Sequence, residues 1–125
     1  MGVSQLQYFE PVMLDTEILD DMCTRMGYAK AESAISAAME DLAVLLQYST
    51  TLLKNGETDT LAVTARQIEA VARRIGMATL SRVAGSVAQL CHRRDEAALA
   101  ACAQRLRRIG EQSLIAIWDR EDLSI

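Results

Sequence analysis

Proline is nearly absent from this chain. The single one is Pro11, so more than a hundred residues follow without a residue that would break a helix. Aromatic residues are also scarce, at 4%. Half the residues are apolar, mostly Ala, Leu, Ile and Val, and together these features argue for an all-helical protein. No run approaches the roughly 18 uninterrupted apolar residues of a membrane span. The first residues lack the basic segment and apolar run of a signal peptide. Histidine occurs once, at His92, beside one neighbouring cysteine. Zinc wants three or four ligands at suitable spacing, so no metal site is expected. The glycines are single and widely spaced, which excludes a glycine-rich phosphate loop. No cofactor is expected.

Cysteine is present in an odd number: Cys23, Cys91 and Cys102. A chain of 125 residues can bury a core without staples. The three are read as reduced thiols of a cytoplasmic protein. Cys23 and Cys102 fall on apolar stripes, as small hydrophobes would.

The net charge of −4 hides an asymmetry. Residues 1–60 carry three basic residues against ten acidic ones, and residues 61–125 carry ten arginines against seven acidic residues. Both halves are expected to be solvated helix faces that also attract each other within the fold, the alternative being a basic half that meets an acidic partner. Nucleic-acid binding is not expected. The pI is near 5, and neither interleaved aromatics nor a recognition motif accompanies the arginines.

Residues 1–14 form an irregular arm, expected to pack across one end of the domain through Leu6, Tyr8, Phe9, Val12, Met13 and Leu14. Asp15 is suited to cap a short helix over about 15–26, with the stripe Ile18/Leu19, Met22 and Met26, stopped by Gly27. A long helix over about 28–54 carries Ile35, Met39, Leu42, Leu45/Leu46, Ser49 and Leu53, and Asn55-Gly56 closes it. The next helix, about 58–75, is capped by Thr58 or Asp59. Two more follow, about 77–93 and about 95–118, the latter capped by Asp95. Residues 119–125 read as a polar tail. Short connections predict an antiparallel up-and-down four-helix bundle with a short N-terminal helix, in a single domain over 1–125. Gly85 and Gly110 lie inside helices, where each costs about 1 kcal/mol relative to Ala. Close helix approach is the expected reason.

The organising stretch is Leu61–Gly76, LAVTARQIEAVARRIG. Its buried stripe reads Leu61, Thr64/Ala65, Ile68, Val71/Ala72 and Ile75, with Gly76 at the left-handed cap. The opposite stripe reads Ala62, Arg66, Glu69/Ala70 and Arg73.

The element order and this helix resemble the histidine-containing phosphotransfer (Hpt) domain of bacterial phosphorelays across essentially the whole chain. That family carries A-H-x-L-K-G on its central helix, followed by small residues and a hydrophobic-Gly stop. Here the matching run is Ala65, Arg66, Gln67, Ile68, Glu69, Ala70 and onward to Ile75-Gly76, without a gap. The resemblance implies an exposed histidine as phosphoacceptor, a lysine one turn later and a glycine that keeps the surface low. Arg66 stands at the histidine position, and a protonated guanidinium has no lone pair for nucleophilic attack. Glu69 replaces the lysine and Ala70 the glycine.

His92 reads as an exposed residue at the end of the fourth helix, where the protonated form is favoured, and not as a relocated acceptor. No enzyme activity is expected. The resemblance implies a non-catalytic module of two-component signal transduction, with no catalytic residue. It would bind a response-regulator receiver domain or a histidine kinase through Arg66, Glu69, Ala70 and Arg73. The alternative is a structural or self-association module, a homodimer with no phosphorelay role.

Overall fold

The computed structural model describes residues 10–123, with side chains through Arg120. Leu6, Tyr8 and Phe9 of the expected arm lie outside the described residues. Five helices follow one another: α1 (Thr16–Met26), α2 (Tyr28–Lys54), α3 (Thr58–Arg74), α4 (Ala78–Leu90) and α5 (Glu96–Leu123). Among the described residues the only extended pairing is an isolated bridge between Leu14 and Met77. The all-helical expectation holds.

The helix ends follow local chemistry. Asp15 caps α1 by accepting the Glu17 N–H at 3.1 Å, and Asp95 caps α5 by accepting the Ala98 N–H at 3.0 Å. The α2–α3 and α3–α4 turns share one design. At each, a glycine at φ 71° or 77° closes the helix. The Glu57 N–H reaches the Leu52 carbonyl, and the Met77 N–H reaches that of Ala72. This six-residue closure satisfies carbonyls the helix would leave open.

Some boundaries and burials differ from the sequence reading. α3 has no side-chain cap from Thr58 or Asp59, because the helix already starts at Thr58 with Glu57 at the cap position. α4 stops at Leu90, which leaves His92 in the following turn. α5 continues to Leu123 through the expected polar tail. Asp119 to Asp122 contain no helix breaker, Ile117 is buried, and Arg120 donates to Asp20 of α1 at 2.7 Å. Met13 and Met26 are exposed, so neither anchors the core.

α2, α3, α4 and α5 form a closed ring of contacts in that order, with α5 returning to α2 and α1 lying on α2. The interior is aliphatic: Leu42, Leu52, Leu61, Ile68, Leu80, Leu106, Ile109 and Ile117 are fully buried. Each such side chain contributes about 1.5–3 kcal/mol of burial. Gly110 faces Leu46 of α2, and an added Cβ would lie 2.5 Å from its Cδ1. The expected close approach is therefore real at this position.

Residues 10–15 strap the α3–α4 turn. The Asp15 N–H donates to the Gly76 carbonyl at 2.6 Å, the Ala78 N–H to Met13, and the Met13 N–H to Thr79 Oγ1 at 2.8 Å. Glu10 accepts from Arg105 Nε at 3.0 Å and lies 3.6 Å from Arg108. These pairs join the acidic N-terminal half to the arginine-rich C-terminal half, as the charge asymmetry implied.

Candidate functional site

The outward stripe of α3 is held by its own charges and by α4. Arg66 Nη1 donates to Glu69 Oε1 at 3.0 Å, and Arg73 Nη2 lies 3.6 Å from Glu69 Oε2. One carboxylate thus bridges two arginines, one turn away on either side. The guanidiniums are open to solvent, at 51% and 69% exposure, while the Glu69 side chain keeps only 20%. Glu69 is covered because it lies over Gly85 of α4, where an added Cβ would be 2.6 Å from Oε2. Its backbone carbonyl accepts from Ser81 Oγ at 3.1 Å, which ties α4 to the middle of α3. The glycine inside α4 therefore makes room for a carboxylate.

Of the four candidate residues, the structure brings Arg66, Glu69 and Arg73 into one ion-paired row and leaves Ala70 exposed beside them. Ala62, read on the same polar stripe, is buried at 7% exposure. The α3–α4 contact is the most extensive in the fold and widens the covered stripe past Ala62 to Glu69. Sequence reasoning missed Ser81 and Arg82. Together with Asp15, Ile18, Glu69 and Arg73 they line a shallow groove of about 340 Å³ where α1, α3 and α4 meet. Gly85 was the available signal, as an unexplained glycine in a helix interior.

Arg66, in this row, has no lone pair for nucleophilic attack. His92 lies seven residues beyond Gly85, past the end of α4, with its N–H donated to Gln89. Among the described residues no group of three or more His, Cys, Asp or Glu is placed to hold a metal ion. No described helix is long and apolar enough to cross a membrane. The thiols are free. Burial pushes the Cys91 thiol upward, with smaller contributions from Asp59 and Cys102, and burial also raises Cys102 against the pull of Arg105.

No family model, curated protein or solved structure matches the chain. The arrangement of this face must carry the functional reading. It offers two exposed guanidiniums, a low surface between them at Ala70, and a partly covered carboxylate paired with both.

Proposed function

We propose that the chain is a non-catalytic, Hpt-like module of phosphorelay signalling. It binds a receiver domain or a histidine kinase through Arg66, Glu69, Ala70 and Arg73 and accepts no phosphate. The observation that carries this reading is the Arg66–Glu69–Arg73 row over Gly85. Guanidiniums suit the acidic pocket of a receiver, because their planar donors pair with carboxylates in two-point fashion. Arg66 has no lone pair to attack an aspartyl phosphate, so docking would not lead to transfer. The antiparallel up-and-down bundle of the family agrees with the short turns and the closed ring of helix contacts. The module acts in the cytoplasm as a competitor, sequestering factor or adaptor.

Calorimetry against the receiver domains of the source organism tests the reading. Wild type is expected to bind at least one of them. Arg66→Glu reverses the charge at the centre of the face, and Ala70→Trp raises its surface. Each is expected to weaken binding by tenfold or more, equivalent to about 1.4 kcal/mol. Wild type that binds no receiver or kinase overturns the proposal. Incubation with a phosphorylated receiver should leave the chain unlabelled. Label acquired by wild type and lost in His92→Ala would make His92 an acceptor.

A further inference from the structure

On the far side of the ring from the α3–α4 face, α2 and α5 leave an open seam. Its groove measures about 570 Å³ and includes Ala43, Leu46, Gln47, Lys54, Arg107 and Leu114. Ala43, Gln47 and Lys54 line it from α2, and Arg107, Glu111 and Leu114 from α5. Glu40, seven residues before Gln47, and Trp118, four after Leu114, continue the same stripes beyond the groove. Spacings of three, four and seven put such residues on one side of a helix. The core uses a different stripe of each helix, through Ile35 and Leu42 on α2 and Leu106 and Ile109 on α5, and Leu46 forms the floor where the two meet. Large apolar groups are exposed on the same two helices: Val44 is 68% exposed, Ile115 60% and Trp118 59%.

We propose that this seam is a homodimer interface, formed by two copies of the chain related by a twofold axis near Gln47. The charges select the occupant. Glu40 lies seven residues before Gln47 and Lys54 seven after it, each about 10 Å along the helix. Neither has an ion-pair partner among the described residues. A surface acidic at one end and basic at an equal distance on the other is complementary to itself after a twofold rotation. Lys54 of each copy then meets Glu40 of the other. Ala43 is small, so two α2 helices can cross closely there, and Trp118 adds the aromatic surface typical of such contacts. The interface leaves Arg66, Glu69 and Arg73 open on the opposite side, so it is independent of the proposed docking function.

Analytical ultracentrifugation of the full chain over a concentration series tests the proposal. The expected species is a dimer in reversible equilibrium with monomer. Trp118 is the one tryptophan, so its emission should shift to the blue as dimer forms. Lys54→Glu and Glu40→Lys each place two like-charge pairs in the interface and should weaken the dimer roughly tenfold. Both sites are exposed on α2, and circular dichroism should show the helices unchanged. Mixing the two variants in equal amounts should restore the dimer, because opposite charges then face each other at both ends. A chain that stays monomeric throughout the series overturns the proposal. So does a dimer that both charge variants leave unchanged, or a mixture that does not recover.

Discussion

At Gly76 an added Cβ would lie 2.6 Å from the Asp15 carbonyl oxygen, and φ is 77°. The strap's backbone cannot move away without losing its bond to the turn. Gly76→Ala should therefore destabilise by about 2–3 kcal/mol, since positive φ and the clash act together. A urea titration reads the loss. Gly85 contrasts with it. Its added Cβ meets the free end of Glu69, which can swing into solvent. Gly85→Ala should keep or raise stability, because helix propensity favours Ala by about 1 kcal/mol. The same change should release Arg66 and Arg73 from their shared carboxylate and weaken the proposed receiver binding. A stability loss like that of Gly76→Ala would refute the idea that Gly85 exists to seat Glu69. The thiols provide a pH test. In the folded state Cys91 and Cys102 are held above the usual thiol value of 9.0, so the unfolded chain ionises first as pH rises. The stability their neutral forms contribute is complete below pH 9.0 and declines above it. The wild-type decline between neutral pH and pH 10 should be steeper than that of Cys91→Ala/Cys102→Ala.

At the scale of elements, α3 was the most legible. Leu61, Thr64, Ala65, Ile68, Val71, Ala72 and Ile75 are all buried, as period 3.6 required. A single helix reports its own buried direction, so its stripe could be read without its neighbours. It does not report how wide that stripe is. Ala62 was misplaced for this reason, because only the extent of contact with α4 sets its width. Ends were legible where a side chain or a glycine acts locally, as at Asp15, Gly27, Gly56, Gly76 and Asp95. They were not legible at Leu123, where a polar segment continues as helix beyond the last buried turn. The strap had apolar anchors in its sequence, but its pairing with the α3–α4 turn spans more than sixty residues and left no local trace. Thr79→Val removes the acceptor for the Met13 N–H and should cost about 1 kcal/mol. Hydrogen exchange should show faster loss of protection at Met13 and Ala78 than in the rest of α4.

For the whole molecule, the ring of four helices separates two surfaces. The arginine row lies on the α3–α4 face and the self-complementary seam on the α2–α5 face. Arg66→Glu should leave the sedimentation behaviour unchanged, and Lys54→Glu should leave receiver binding unchanged within about twofold, as separated sites act additively. A dimer lost in Arg66→Glu would place both functions on one surface. Opposite charge in the two halves of the chain is partly spent inside the fold, through Glu10 with Arg105 and Arg108 and through Asp20 with Arg120. Such exposed pairs contribute little each, about 0–1 kcal/mol, and mainly orient the strap and the end of α5.

The sequence by itself determined the helical class, the order of five helices, the buried stripe of α3 and a non-nucleophilic arginine at position 66. These follow from local periodicity, from capping chemistry and from the identity of one side chain. The tertiary structure decided that Glu69 is shielded and shared between two arginines, that Gly85 makes room for it, and that Gln47 and Lys54 border an open seam. These properties depend on what a neighbouring helix brings within a few ångströms, and residues distant in sequence leave no periodic signature of where they meet.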